Sequence, residues 1–236
     1  MTAVLDCRDL HAGYGESEVL TSVSVALAPG DIYALMGKNG AGKTTFFLTL
    51  LGVINPTAGA VNIFGQDVSA WAPYQIAALG VGCAPQENAF FQDLTVSENL
   101  RLGCLGLTRH AFNCGRDRVV EMFPFIGDRL RQKAGTLSGG EQAMVKVARV
   151  LLPEPRLVLL DEVTEGLQPL TVNRVRDVLV RDHQARNTTL LVIEQNVAFA
   201  ARLATRFGLM DRGRIVGEGS FCESDATARV ATHLSV

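Results

Sequence analysis

The feature that most constrains the fold of this chain is a glycine-rich segment near its start, GKNGAGKTT at residues 37–45. It fits the pattern G-x-x-x-x-G-K-[ST], in which backbone N–H groups turn inward around an anionic phosphate chain. The apolar run at 32–36 before it is typical of a buried strand, and the apolar run at 46–51 after it continues a helix. Because a helix N-terminus attracts anions, this strand–loop–helix order predicts that phosphates bind at the start of the helix.

Two side chains of this phosphate loop have specific chemical roles. The Lys43 ammonium is expected to reach the β- and γ-phosphates, and the Thr44 hydroxyl is expected to hold Mg²⁺. The alternative is a glycine turn without a ligand, but a chance match to the whole pattern is uncommon at average glycine usage. The predicted binding segment consists of Gly37, Lys38, Asn39, Gly40, Ala41, Gly42, Lys43, Thr44 and Thr45.

Composition limits the class of protein. The chain has 236 residues, of which 47% are hydrophobic, and a net charge of −2. This length allows one large α/β domain or a domain with a small insertion, and the low net charge argues against nucleic acid as a partner. Five cysteines without a C-x-x-C pair indicate free thiols in a reducing compartment. The charged N-terminal segment 6–9 predicts no signal peptide, and no apolar run approaches the ~20 residues that span a bilayer.

The order of sequence patterns predicts an α/β fold. Short β-rich segments separated by glycine and proline flank the phosphate loop, at residues 4–10, 19–27 and 61–65, and they are predicted to be antiparallel strands. Helical periodicity extends from Leu94 to Leu152, and Thr95 with Glu98 forms a helix-starting capping box. We therefore predict one domain over residues 1–236, with a helical segment inserted at about 87–152.

Two continuous aliphatic runs indicate a parallel sheet covered on both faces. They lie at 157–160 and 190–193 and are separated by a predicted helix over 170–185. The segment 207–216 is predicted to be a hairpin at the edge of this sheet, because Asp211-Arg212-Gly213 interrupts two apolar runs.

Two carboxylates directly follow the first aliphatic run. Ligands of open parallel sheets bind beyond the carboxyl ends of the strands, which is where Asp161 and Glu162 are expected. Asp161 would hold Mg²⁺ through water, and Glu162 would orient and polarise an attacking water. Acidic residues also end strands at a solvent edge without any ligand, and the upstream phosphate loop favours the functional interpretation.

A second glycine motif lies at LSGGEQ, residues 137–142. Ser138 and Glu141 form a capping box at a helix start, but this does not account for Gly139 and Gly140, since each costs about 1 kcal/mol relative to alanine inside a helix. Glycines are explained if a phosphate lies against the backbone of the helix end. The chain thus has two phosphate-facing helix starts, and a dimer with nucleotide between the loop of one subunit and this motif of the other uses both.

These motifs, in this order, resemble the ATPase domain of ABC transporters over about residues 5–219. The segment Leu137 to Glu141 is similar to that family's signature motif, which acts across the dimer through Ser138, Gly139, Gly140 and Glu141. Gln86 resembles the glutamine that links Mg²⁺ and the attacking water to the membrane partner, and Tyr14 resembles the aromatic residue that stacks on adenine. The resemblance implies a P-loop NTPase (RecA-like) core with an antiparallel β subdomain and an inserted helical subdomain, and ATP and Mg²⁺ as cofactors.

Departures from the usual family pattern make the chain resemble one group within the family more than the others. Gln195, within Glu-Gln-Asn at 194–196, stands where most members have a histidine that contacts the γ-phosphate, and glutamine cannot carry a proton charge. This triplet and Gly-Leu-Gln-Pro at 166–169 are similar to the shorter ATPase of branched-chain amino acid importers, while 164–166 resembles the urea and short-amide branch. Val163 replaces the usual proline. The expected catalytic residues are Glu162, Lys43 and Gln195.

The resemblance also implies partners and a location. They are transmembrane permease subunits, a second ATPase subunit (identical or related), and indirectly a solute-binding protein, at the cytoplasmic face of the plasma membrane, with no nucleic acid. Phe90, Phe91 and Leu94 either line the groove for the permease or pack in the core. The competing functions are a soluble ABC ATPase of DNA repair or translation, and a regulatory module that hardly hydrolyses ATP. The first lacks its expected basic surface here, and intact Lys43, Asp161 and Glu162 argue against the second.

Overall fold

Two β-sheets and a set of helices build the chain, and the computed structural model describes residues 3–86, 90–104 and 106–235. The strands are β1 (Leu5–Tyr14), β2 (Ser17–Leu27), β3 (Ile32–Gly37), β4 (Ala58–Ile63), β5 (Gln66–Asp67), β6 (Val81–Ala84), β7 (Leu157–Asp161), β8 (Thr189–Glu194), β9 (Arg206–Asp211) and β10 (Arg214–Ser220). The helices are α1 (Lys43–Leu50), α2 (Pro73–Ala78), α3 (Val96–Leu102), α4 (Arg109–Met122), α5 (Pro124–Arg129), α6 (Gly139–Leu151), α7 (Pro169–Arg186), α8 (Val197–Leu203) and α9 (Ala226–Ser235).

The larger sheet has the strand order β10-β9-β3-β8-β7-β6. Strands β9, β3, β8, β7 and β6 run parallel, and only β10 pairs antiparallel, with β9. Every residue of β3, β7 and β8 is buried, because successive side chains enter a core on alternate faces of the sheet. The predicted parallel sheet and its edge hairpin are therefore confirmed.

The predicted antiparallel strands form the second sheet, with the order β2-β1-β4-β5. Its inner face shares a core with α1 and with one face of the parallel sheet, so that Leu5, Leu10, Phe46 and Phe47 belong to one hydrophobic cluster. The phosphate loop is thus held from both sides.

Helices α3 to α6 lie between β6 and β7 in the chain. The capping box of α3 is confirmed, because the Glu98 amide donates to Thr95 Oγ1 at 3.2 Å and Glu98 Oε2 accepts from the Thr95 amide at 2.7 Å. The predicted start of the insertion, Glu87, lies outside the described residues, and the treatment of this segment as a subdomain stays a prediction. Phe90 packs against the core, whereas Phe91 is 50% exposed.

The turn of the β9–β10 hairpin supports the phosphate loop. The Gly213 amide donates to Ala41 O at 2.8 Å, and Gly213 O accepts from the Thr21 amide at 2.8 Å. A Cβ on Gly213 would lie 1.7 Å from Val19 O, so only glycine fits between the loop and β2. None of the helices in the described ranges combines the length and the apolar character needed to cross a membrane.

Candidate active site

The phosphate loop joins β3 to α1 as the sequence predicts. Gly40 and Gly42 adopt φ of 79° and 104°, the left-handed region that glycine occupies at little cost. Gly42 occupies the position before α1, and it has no side chain with which to bond the first amides of the helix. The free amides at that end, together with the helix dipole, form an anion-binding site.

Lys43 spans the inside of this loop. Its ammonium donates to Gly37 O at 2.9 Å and to Lys38 O at 3.0 Å, and it lies 3.3 Å from Glu162 Oε1. The side chain is only 5% exposed, so its charge is desolvated and compensated by these oxygens.

Glu162 is the point on which the predicted side chains converge. In addition to the Lys43 ammonium, its Oε1 accepts from Gln195 Nε2 at 2.7 Å, and its Oε2 accepts from Gln86 Nε2 at 3.1 Å. The carboxylate is 8% exposed, and the residue has φ of 47°. Strand order explains the convergence, since β3, β8, β7 and β6 are neighbours and their carboxyl ends meet at one edge.

The two glutamines also extend beyond Glu162. Gln195 Nε2 donates its second hydrogen to Asn39 Oδ1 at 2.7 Å, so it connects Glu162 to the phosphate loop. Gln86 Nε2 similarly donates to Glu165 Oε2 at 2.7 Å. Gln195 therefore links Glu162 to the phosphate loop, and Gln86 links it to Glu165.

Asp161 is a buried carboxylate with an unsatisfied oxygen. It is 1% exposed, and among the described residues its Oδ1 has no hydrogen-bond partner. Burial and the neighbouring Glu162 charge raise the pKa of Asp161 to about 6, against the opposing effect of Lys43. A bound cation would give Asp161 Oδ1 a partner and favour the charged form of the carboxylate.

The oxygen donors fit Mg²⁺. Asp161 supplies a carboxylate, and Thr44 has an exposed side chain in the first turn of α1. Within the described residues no group of three or more His, Cys, Asp or Glu side chains could hold a metal ion. Mg²⁺ is commonly bound by one or two carboxylates together with water and substrate phosphates, so the sparse donor set agrees with its chemistry.

The second glycine motif begins α6 on the exposed side of the molecule. The Glu141 amide donates to Ser138 Oγ at 3.3 Å, and Glu141 Oε2 accepts from the Ser138 amide at 3.0 Å, which completes the predicted capping box. A Cβ on Gly139 would meet nothing within 4 Å, whereas one on Gly140 would lie 2.9 Å from Thr171 Oγ1. Among the residues that the structure describes, Gly140 therefore has a packing reason and Gly139 has none.

Within the described ranges, Tyr14 and the segment 138–141 make no hydrogen bond to the residues around Glu162. No hydrogen bond within the described ranges joins residues 138–141 to residues 37–45. Tyr14 ends β1 with 53% of its surface exposed, which leaves its ring accessible. The roles of Tyr14 and of the signature residues stay predictions.

Two side chains to which the motifs assigned no role of their own, Thr164 and Glu194, bond to each other close to Glu162 in the chain fold. Glu194, which ends β8, is 2% exposed and accepts two hydrogen bonds from Thr164. Burial raises the pKa of Glu194 to about 7, although its bonds from Thr164 lower it. The signal in the sequence was a carboxylate at the end of an aliphatic strand, the same signal that pointed to Asp161.

Comparison with known proteins decides the family. Residues 20–165 match the family described as ABC transporter. The chain belongs to the ABC transporter family. The ABC cassette fold and ATPase activity predicted from the sequence are confirmed, and the chain is an ATP-binding enzyme that hydrolyses ATP.

Curated relatives of this ABC ATPase differ in what their names say they transport. The chain is 34% identical to the high-affinity branched-chain amino acid transport ATP-binding protein BraG of Pseudomonas aeruginosa, over 86% of this chain and 87% of BraG. It is 30% identical to the probable branched-chain amino acid transport ATP-binding protein LivF of Archaeoglobus fulgidus, over 89% of each chain. It is also 32% identical to the lipopolysaccharide export system ATP-binding protein LptB of Haemophilus influenzae, over 92% of this chain and 91% of LptB.

Solved structures show the same fold as this ABC ATPase. A nucleotide-free ATP-binding cassette from an ABC transporter superposes with a TM-score of 0.86 at 22% identity, covering 98% of this chain and 96% of that one. A dimeric cassette in a post-hydrolysis state, bound to ADP and phosphate, has a TM-score of 0.82 at 20% identity, covering 92% and 98%. At these identities the likeness establishes the fold of the cassette.

Proposed function

We propose that this ABC ATPase powers the import of branched-chain or other hydrophobic amino acids through separate membrane permease subunits. The observation that carries the chemistry is the convergence of Lys43, Gln86 and Gln195 on the Glu162 carboxylate, beside the unsatisfied oxygen of Asp161. The observation that favours import of amino acids is the identity with BraG and LivF over most of the chain.

Within the site each side chain has a distinct proposed task. Phosphates would enter the loop 37–45 and draw the Lys43 ammonium away from Glu162, because a polyphosphate carries more negative charge than the single carboxylate that Lys43 now faces. Glu162, released from that ion pair, would accept a proton from the attacking water, a contribution of about 10²–10⁴-fold. Mg²⁺, when bound, supplies charge neutralisation at the phosphates, and Thr44, Asp161 and Gln86 would hold it, partly through water.

Gln195 would position rather than transfer protons. Its carboxamide contacts both Glu162 and the loop residue Asn39, so it senses whether the loop is filled. An amide cannot gain or lose a proton in the physiological range, so the general base of this site is Glu162 and not residue 195.

The nucleotide-binding site would be completed by a second ATPase subunit. Ser138 and Gly139 are exposed, and in the described part of the chain no hydrogen bond joins them to the phosphate loop, as expected for a motif that acts across a dimer. The phosphate loop of one protomer and residues 138–141 of its partner, either an identical copy or a related chain, would enclose one ATP. Binding would close the pair and hydrolysis would open it, and this motion would reach the permease near Gln86.

A further candidate direction of transport comes from the relative LptB, whose name describes export of lipopolysaccharide. A urea or short-amide importer is the remaining alternative, from the segment 164–166. All three use the same ATPase chemistry, so the transported solute distinguishes them and the site does not. In each case the protein would act at the cytoplasmic face of the plasma membrane as a peripheral subunit.

Co-purification followed by uptake tests this proposal. The tagged chain is isolated with mild detergent from membranes of its source cells, and the proteins that accompany it are identified by mass spectrometry. We expect permease subunits and a second ATPase, and we expect a strain carrying Lys43→Ala to lose uptake of labelled leucine while its uptake of labelled urea is unchanged. Loss of urea uptake with normal leucine uptake, or a lipopolysaccharide defect with normal uptake of both, would overturn the amino acid assignment.

A further inference from the structure

Behind Glu162, a buried carboxylate joins the two loops that follow β7 and β8. Glu194 Oε1 accepts from the Thr164 amide at 3.2 Å and from Thr164 Oγ1 at 2.9 Å, and Glu194 Oε2 lies 3.0 Å from the same hydroxyl. Thr164 is 5% exposed and Glu194 is 2% exposed. Water therefore does not compete for these bonds, and the pair constrains the positions of both loops.

The residue between these attachments has an unfavourable backbone conformation. Glu162 has φ of 47°, which is uncommon for a residue with a side chain and persists only when the surroundings determine it. On one side, the Glu162 amide donates to Ile193 O at 2.9 Å. On the other side, Thr164 is bonded to Glu194, so the backbone around Glu162 is tied to two consecutive residues of β8.

We propose that Thr164 and Glu194 form a clamp that positions Glu162 for ATP hydrolysis, an inference that rests on the proposed role of Glu162 toward water. The clamp acts on the backbone, whereas Lys43, Gln86 and Gln195 contact the carboxylate itself. Without the clamp, the chain after Glu162 would relax toward ordinary φ values and the carboxylate would leave its place. Thr164 and Glu194 are thus positioning residues that touch no reacting atom.

A second buried pair of the same chemistry provides the matched control. At the opposite end of β8, Thr188 Oγ1 donates to Asp182 Oδ2 at 2.9 Å, and these residues are 2% and 1% exposed. If buried threonine–carboxylate pairs serve only to hold the fold, then removing either threonine hydroxyl should have the same consequences. If the Thr164–Glu194 clamp positions Glu162, only Thr164 should affect turnover.

The experiment measures steady-state ATP hydrolysis by the purified wild-type chain and by four full-length single variants: Thr164→Val, Thr164→Ser, Glu194→Gln and Thr188→Val. Valine keeps the shape of threonine but removes the hydroxyl donor, whereas serine and glutamine keep a hydrogen-bond partner. We expect Thr164→Val to lower kcat about tenfold or more with KM for Mg-ATP changed less than about threefold. Thr164→Ser and Glu194→Gln should keep kcat within about threefold of wild type, and Thr188→Val should leave kcat unchanged.

Several outcomes decide the matter. Wild-type kcat in Thr164→Val, or an equal loss of kcat in Thr188→Val, would overturn the clamp. Fluorescence titration with ADP measures the folded fraction of each variant. If Thr164→Val does not fold, Thr164→Cys replaces it, because cysteine is of similar size and supplies only a weak donor. Its kcat is also expected to fall. Normal hydrolysis by Glu162→Gln would instead refute the proposed role of Glu162, so the two failures are distinguishable.

Discussion

At the residue scale, the proposed chemistry depends on the Glu162 carboxylate, which side chains from several segments contact. Lys43, Asp161 and Glu162 could be predicted from the sequence because their motifs are local. The bonds from Gln86 and Gln195 to Glu162 could not, since they depend on which strands are neighbours in the sheet. No role could be assigned to Glu194 from the sequence, because its bonds to Thr164 join segments that follow two different strands.

Removing the Gln195 amide should slow turnover more than it weakens binding. In Gln195→Ala the link from Glu162 to Asn39 is lost, while the phosphate loop and Lys43 stay in place. We expect kcat to fall about tenfold or more, with the Kd of ATP within about threefold of wild type. Steady-state kinetics and nucleotide titration measure both, and the exposed Gln184→Ala serves as control. An unchanged kcat would show that Gln195 has no positioning role.

The buried carboxyl of Glu194 should also make stability depend on pH. Burial raises its pKa from 4.5 to about 7, so between these values the folded chain holds a proton that the unfolded chain lacks. Its stabilising contribution is therefore full below 4.5 and is lost as pH rises through about 7. Relative to Glu194→Gln, the free energy of unfolding of wild type should fall by about 1–3 kcal/mol over this window, as urea denaturation would measure. Parallel pH profiles for the two proteins would contradict this.

At the scale of elements, most strands of the larger sheet could be predicted from the pattern of apolar residues along the sequence. The aliphatic strands β7 and β8 were predicted because every residue enters a core, and the hairpin β9–β10 because its turn residues interrupt two apolar runs. Strand β6 was missed, since Val81–Ala84 is short and contains Gly82, where a Cβ would lie 2.9 Å from Val150 Cγ1. Its glycine serves close packing and leaves no β-type signal.

The two glycines at the start of α6 should respond in opposite ways to alanine. In Gly140→Ala the new methyl group meets Thr171, so stability should fall by about 1 kcal/mol or more. In Gly139→Ala the methyl group meets no atom of the described residues within 4 Å, so the melting temperature should be unchanged or raised while ATPase activity drops. Thermal melts and ATPase assays on both variants test this. Full activity in Gly139→Ala would mean that no phosphate approaches that backbone.

At the scale of the whole molecule, the two sheets and the hairpin turn hold the phosphate loop rigidly, while the second glycine motif faces solvent. The cassette fold followed from the order of its motifs. The relation between two chains could be inferred only from the chemistry, because no hydrogen bond in the described ranges joins the phosphate loop 37–45 to the second proposed phosphate-binding segment, 138–141. We therefore propose that a complete site requires a partner.

The most direct test of this sandwich is the mass of Glu162→Gln in solution, because this variant should bind ATP without splitting it. Light scattering after size exclusion should give twice the mass of one chain in Mg-ATP and the mass of one chain in Mg-ADP. Adding Ser138→Arg, which places a bulky side chain in the motif that would face the ATP of the partner, should abolish the doubling of the mass. A Glu162→Gln protein that binds ATP stoichiometrically yet stays a single chain, both alone and when mixed with the second ATPase subunit that co-purifies with it, would contradict the account.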